Sequence, residues 1–272
     1  MGEGNEEMIM QNIRLTIQYD GTRYLGWQRP EKDGLTRSVS YKISEVLNRM
    51  TGEEIALQAG ARTDPGVHAL AQTVSFQTDA AFTPEEILHG LNRYLPQDIA
   101  VLSAENAPER FRADLKAVSR TYECRICTSK IYNVFTAGRE THWYPAPDLS
   151  LMESAAALLK GRHDFRPFSS GRKKKGTQKT LLDLTFLQEQ EHIVMQITAD
   201  DFLHQMPALI AGTLLEAGAG KRSPESIAAV FDGTEKAGSP AEAKSLLLKS
   251  IQYSCRRNLP RRFTSLPASI PH

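Results

Sequence analysis

The stretch from Gly60 to Phe76, GARTDPGVHALAQTVSF, constrains the chain more than any other. Ile55 and Leu57 alternate with polar neighbours as a short strand, Pro65-Gly66 marks a tight turn, and Val74 and Phe76 read as the returning strand. Two strands with an acid on the loop between them hold that acid rigidly and aim it outward, and loops on rigid supports are where chemistry is carried. The acid is Asp64. An Asp ahead of Pro-Gly commonly does no more than hydrogen-bond the turn's own backbone. Arg62, two residues earlier, supplies a guanidinium to pair with Asp64 and hold it ionised and oriented.

The elements around this loop follow from periodicity. Ile13, Leu15, Ile17 and Tyr19 alternate with polar residues as a half-buried strand that ends at Asp20-Gly21. Ser38 to Met50 places Val39, Ile43, Val46, Leu47 and Met50 on one helical face. Thr83, Pro84 and Glu86 form a capping box at the start of a second helix bearing Ile87, Leu88, Leu91 and Leu95, and a strand follows around Ile99 to Leu102.

An irregular segment with Tyr144, Pro145 and Pro147 reads as a connector, after which the style of the first half repeats. A helix from Leu151 to Lys160 precedes strands around Leu182 to Phe186 and Ile193 to Ile197. Next come a helix from Phe202 to Ala217, another capped by Ser223-Pro224, and a closing strand from Leu246 to Tyr253. The expected organisation is an acidic tail (1–10), a first lobe carrying the Asp64 loop (11–127), a connector (128–148), a second lobe (149–254) and a basic tail (255–272). The fold class is α+β: two similar lobes whose mostly antiparallel sheets merge into one floor, with helices on one face.

Net charge is only +1, so overall charge announces no nucleic-acid partner, but its distribution does. Lys160 to Lys179 holds eight basic residues against the single acid Asp164. Arg110, Arg112, Lys116, Arg120 and Arg125 cluster mid-chain, and Arg256, Arg257, Arg261 and Arg262 lie near the end. Three such runs suggest a basic groove for phosphates, with GRKKKG as a clamping loop. No apolar run reaches the length of a membrane span, and MGEGNEEMIM is acidic where a signal peptide is basic, so a cytoplasmic protein is expected.

Three cysteines fit a reducing compartment rather than a disulfide framework. Cys124 and Cys127 form a C-x-x-C, but residues three apart on a strand point to opposite faces, and Cys255 is the only other thiol. A zinc site on this pair is therefore disfavoured. His68 and His163 read as hydrogen-bonded structural residues, and Asp164 as a loop brace.

Seven of the nine residues from Gly60's loop outward match a specific string. The chain resembles the TruA family of tRNA pseudouridine synthases, whose motif is Gly-Arg-Thr-Asp-Ala-Gly-Val-His-Ala; Ala61 and Pro65 depart, while Arg62, Thr63, Asp64, Gly66, Val67, His68 and Ala69 fit. Asp20-Gly21 with Gly26-Trp27-Gln28, the segment from Phe111 to Tyr122, and Gly161 to Phe168 are similar to further family motifs. The resemblance implies the merged-sheet fold with a cleft between the lobes, isomerisation of uridine to pseudouridine in the anticodon arm of tRNA, no cofactor or metal, and a homodimer. It implies that Asp64 initiates the reaction, that Arg62 supports it ionically, and that Tyr122 packs on the target uracil, with Arg120 and Leu246 also in the substrate site.

Detaching a base, turning it and rejoining it adds nothing, so one carboxylate suffices where a hydrolysing glycosidase uses two. The departures matter as much. The family's second-lobe helix begins Phe-Leu-x-x-Met-Val-Arg-Asn and its Arg reaches the catalytic Asp, whereas Ala208 stands at that place here. The Pro-x-x-Gly-Leu near the end becomes Pro240 to Leu246, longer and without the glycine. Arg166, at a usually small position, is expected to substitute for the missing arginine. Two other readings stand beside the tRNA enzyme: the same chemistry on a different RNA, and an RNA-binding or chaperone protein that has lost turnover.

Overall fold

The structure, a computed structural model, describes residues 10–28, 36–171 and 175–254. Its strands are β1 (Gln11–Tyr19), β2 (Gln58–Ala59), β3 (His68–Thr78), β4 (Ile99–Asn106), β5 (Ala117–Cys127), β6 (Thr141–His142), β7 (Gly161–Asp164), β8 (Gln178–Glu189), β9 (His192–Ala199) and β10 (Leu246–Tyr253). Its helices are α1 (Val39–Thr51), α2 (Pro84–Tyr94), α3 (Ala113–Lys116), α4 (Leu149–Leu159), α5 (Met206–Gly218) and α6 (Ser226–Phe231). All ten strands join one mixed sheet in an α+β fold, in the order β4-β1-β3-β10-β5-β9-β8-β7, with β2 beside β3 and β6 beside β5.

The alternation in β1 is observed, with Ile13, Leu15, Ile17 and Tyr19 buried and Arg14, Thr16 and Gln18 partly exposed. The covering helices form where the apolar stripes lie. Ser38 caps α1, which buries Val39, Ile43, Val46 and Leu47. The Thr83 box is made in both directions, Glu86 N–H to the Thr83 hydroxyl and Thr83 N–H to the Glu86 carboxylate, and such a cap contributes about 1 kcal/mol. One apolar core runs through both ends of the sheet, from Ile13 and Leu47 to Ile197 and Leu214.

Three helix starts differ from expectation. α4 begins at Leu149, two residues before Leu151, because the Asp148 side chain caps it by accepting from Ser150 and Leu151 N–H. α5 begins at Met206, four residues after Phe202, because Gln205 takes a left-handed conformation (φ 57°) that no helix continues through. α6 begins after Glu225 with no side-chain cap, and Ser223 contributes its carbonyl to Ser226 N–H instead of a capping hydroxyl.

Strands 1, 3 and 4 pair antiparallel at one end of the sheet, and strands 5, 8 and 9 at the other. β10 lies between them, parallel to β3 (Leu247 opposite His68, Leu248 opposite Ala69) and antiparallel to β5. The Asp64 loop runs directly into β3 at this junction, so it sits where the two ends of the sheet are joined.

Candidate active site

Loop 60–67 closes the β2–β3 hairpin and is pinned at nearly every residue. Gly60 N–H donates to the Thr73 carbonyl (2.8 Å), and the Gln72 side chain brackets Ala61, donating to its carbonyl (2.6 Å) and accepting from its N–H (3.2 Å). The Thr63 carbonyl accepts from Trp27 N–H (3.0 Å), and its hydroxyl meets the buried Tyr19 hydroxyl at 2.8 Å. Burial pushes the Tyr19 phenol up to about 12, so it stays a hydrogen-bonding hydroxyl.

The segment from Gly21 to Trp27 lies across this loop at backbone contact. A Cβ on Gly21 would sit 2.1 Å from the Val67 carbonyl oxygen, and one on Gly26 (φ 96°) 2.7 Å from that of Thr63. Only glycine allows both approaches. His68, also buried, accepts from Gly21 N–H at Nδ1 (3.0 Å) and faces the Lys244 carbonyl with Nε2 (3.0 Å). It is a brace between three segments.

The Asp64 carboxylate does not fold back on its own turn. Oδ2 accepts the backbone N–H of Gln205 (2.9 Å), 141 residues away, and Oδ1 lies 3.6 Å from Nδ1 of His204. Burial raises the Asp64 pKa above its ordinary value, while the His204 charge and the Gln205 N–H pull it down. The Gln205 amide stands at the start of α5, whose helix dipole favours a carboxylate there; Met206 N–H is taken by the Leu203 carbonyl and Pro207 has none, so Gln205 N–H is the donor that reaches Asp64. The unusual φ of Gln205 aims that amide.

His204 was not singled out by sequence reasoning, although it is the one ionisable side chain between Phe202 and Glu216. The turn after Phe168 holds it: the Ser170 hydroxyl lies 3.0 Å from Nδ1, and the His204 carbonyl accepts the Ser169 hydroxyl (3.1 Å) and Ser170 N–H (3.4 Å). Ala208, where an arginine was expected, is buried, and its carbonyl accepts Ala241 N–H at 2.9 Å. The longer segment before β10 forms a 3-10 turn (Ala243–Ser245) seated on the loop, with the Ala243 methyl 3.2 Å from where a Cβ on Gly66 would stand.

The other expected residues are placed as follows. Tyr122 is buried and packs edge-on against Phe202 (centroids 5.1 Å); burial first, then the Tyr19 and Asp64 charges, raise its pKa, so its phenol borders the same site. Arg120 is buried and committed to the fold, donating to the carbonyls of Gly60 and Asp200 (2.6 Å each) and lying 3.5 Å from the Asp201 carboxylate. Leu246 is buried at the start of β10, opposite Cys124. Arg62 is exposed, and among the described residues it forms no ion pair with Asp64.

Arg166 pairs with Asp164 (2.6 Å) and not with Asp64; the ionisable side chain facing Asp64 is His204. Within the basic runs, Lys160 is tied to Asp183 (2.9 Å), Lys179 to Asp201 (2.5 Å) and Arg112 to Asp114 (2.8 Å). Arg172, Lys173 and Lys174 of the expected clamp, both tails beyond residues 10–254, and Cys255 lie outside the described residues.

A partly buried carboxylate, steadied by a backbone N–H and faced by an imidazole, can attack an electrophilic carbon or take up a proton. The sequence profile of the family described as tRNA pseudouridine synthase matches residues 15–114 and 155–254. The tRNA pseudouridine synthase A 2 of Clostridium tetani (strain Massachusetts / E88) is 34% identical over 249 residues, spanning 90% of this chain and 100% of the relative. The tRNA pseudouridine synthase A of Bacillus sp. (strain KSM-64) is 35% identical over 246 residues, again 90% and 100%. The matched segments contain both the Asp64 loop and the His204–Gln205 corner that meets it, and on that match the chain belongs to the TruA-type family of tRNA pseudouridine synthases.

Proposed function

We propose that the protein converts uridine to pseudouridine in the anticodon stem-loop of tRNA, with Asp64 initiating the reaction. The observation that carries this reading is the Asp64 carboxylate, held by Gln205 N–H on a loop pinned at Gly60, Ala61, Thr63, Gly66 and Val67. In the isomerisation the N1–C1′ bond breaks and a C5–C1′ bond forms; the proton lost from C5 is matched by one gained at N1. Atoms balance without a co-reactant, so the residues needed are an initiator and groups that hold the loose base.

The target base leaves its stack to reach Asp64. Tyr122, with Leu246 beside the loop, forms an apolar floor for a flipped uracil, and exposed Arg62 meets the negatively charged RNA. Arg120 acts indirectly, fixing Gly60 at the base of the loop. The two halves 11–127 and 149–254 act as lobes on either side of the cleft, joined by 128–148, in a cytoplasmic homodimer. Light scattering after size exclusion that returned a monomer would remove the dimer.

A second reading rests on Ala208: without the arginine, the protein binds RNA and turns it over slowly or not at all. Pseudouridine mapping by carbodiimide primer extension separates the two, comparing wild type, a deletion strain, and that strain complemented with Asp64→Ala. The proposal expects one tRNA site lost on deletion and left unrestored by the variant. Loss at a site in another RNA would change the substrate, and no lost site would leave the binding reading.

A further inference from the structure

The edge of the sheet where β5, β6 and β9 meet carries a side-chain cluster that pseudouridine formation does not use. Cys127 ends β5 and stands opposite His192, the first residue of β9; Glu140 immediately precedes β6, which runs alongside β5. One donor atom from each of Cys127, Glu140 and His192 lies within 4.8 Å of the others. Cys127 is 1% exposed and the Glu140 side chain 6%, while His192 opens to solvent at 43%. We propose that Cys127, Glu140 and His192 bind a zinc-class divalent cation, with water completing a tetrahedral site on the exposed side.

The spacing is the first argument. Bonds of about 2.0–2.2 Å to nitrogen and oxygen at a tetrahedral angle put two ligand atoms roughly 3.3 Å apart. Glu140 Oε2 and His192 Nε2 are 3.3 Å apart. A zinc-bound sulfur stands about 3.5 Å from the other ligand atoms, so bringing it in from the 4.8 Å bound asks for a closure of at most about 1.3 Å.

The surroundings are the second. Thr136 donates its hydroxyl to Glu140 Oε1 (2.6 Å), which orients the carboxylate and leaves Oε2 for the ion. The Ser129 hydroxyl lies 3.0 Å from Cys127 Sγ and itself donates to the Ile131 carbonyl (2.7 Å), so in the metal-free protein it accepts a hydrogen bond from the thiol S–H. On binding, that proton passes to solvent and the thiolate takes its place on the ion. A thiolate with an imidazole and a carboxylate selects zinc-class ions over magnesium or calcium. The ion would clasp segment 128–139, which lies between two ligands and exposes Ile131 and Phe135, onto the sheet.

The C-x-x-C is not this site. Cys124 points elsewhere, to the Ser245 hydroxyl at 3.4 Å. The test is titration of the full chain, kept reduced, with Co²⁺ as a spectroscopic stand-in. A saturable sulfur-to-cobalt charge-transfer band at one ion per chain is expected, displaced by Zn²⁺ with a rise in Tm. The band should vanish in Cys127→Ser, weaken in His192→Ala and persist in Cys255→Ser, and Thr136→Val should lower affinity roughly tenfold. His192 is half exposed, so its variant keeps the test open if Cys127→Ser fails to fold. No band in folded wild type, leaving Glu140 and His192 a simple ion pair, or a band that follows Cys255, overturns the proposal. Neither readout depends on pseudouridine formation.

Discussion

Tyr19 and Thr63 offer a direct test of whether the Asp64 loop is positioned by buried hydrogen bonding. Both residues are buried, at 4% and 5% exposure, and their hydroxyls are 2.8 Å apart. Tyr19→Phe removes the partner of a buried Thr63 hydroxyl, which costs about 1–3 kcal/mol of desolvation left unpaid by any bond. Thr63→Val removes the other half, but the Tyr19 hydroxyl keeps the Gln72 side chain, so the loss is smaller, about 0.5–1.5 kcal/mol. In the double variant neither orphan remains, and the two costs should fall short of additivity by about 1 kcal/mol. Urea unfolding of the four proteins measures this cycle.

Activity supplies the second readout. Thr63 precedes Asp64, and a displacement of about 1 Å at a reacting group costs up to 100-fold. Tyr19→Phe should lower kcat toward that limit, with KM for tRNA little changed because no RNA-facing group is touched. Strict additivity of the stability losses, within about 0.3 kcal/mol, would refute the coupling. An unchanged kcat would refute the claim that the coupling positions Asp64.

Other outcomes follow from the same site. Asp64→Asn should abolish turnover while raising Tm at neutral pH: burial raises the folded-state pKa of Asp64, so its contribution to stability is full below the ordinary carboxylate range and lost as pH rises through the raised value. The Tm gap should therefore close in acid, and a gap independent of pH would contradict the buried carboxylate. His204→Ala should move the acid limb of the kcat profile to higher pH, since its charge favours ionised Asp64, and His204→Arg should move it back; an unmoved limb would detach His204 from Asp64. Arg166→Ala should leave that limb in place and cost about 0–1 kcal/mol, because its guanidinium serves an exposed pair with Asp164. Gly21→Ala should destabilise by about 1–3 kcal/mol or more through the clash with the Val67 carbonyl, read by thermal melting.

What was legible in the sequence was local. The period-two pattern of β1, the stripe of α1 and the Thr83 box each state their own burial within a dozen residues, and Asp64 announced itself through its neighbours. The parallel pairing of β3 with β10 could not be seen, because two-residue contacts between distant strands leave no pattern in either. The partners of Asp64 were hidden for the same reason. Gln205 acts through its amide, which every residue has, and is aimed by a left-handed φ that nothing nearby in the sequence demands. Arg120 was expected in the substrate site and Arg166 beside Asp64, because a sequence does not show which partner a guanidinium takes; here Arg120 is committed to two carbonyls and Arg166 to the neighbouring Asp164.

The place of β10 bears on how the protein is born. Translation delivers β1, β3 and the Asp64 loop early, but the slot between β3 and β5 stays open until Leu246–Tyr253 leaves the ribosome. Until β10 seats the turn ahead of it, nothing holds the Lys244 carbonyl against His68 or the Ala243 methyl beneath Gly66. A nascent chain therefore carries every residue of the Asp64 loop and no working loop, and a ribosome stalled before residue 246 would release a polypeptide that makes no pseudouridine.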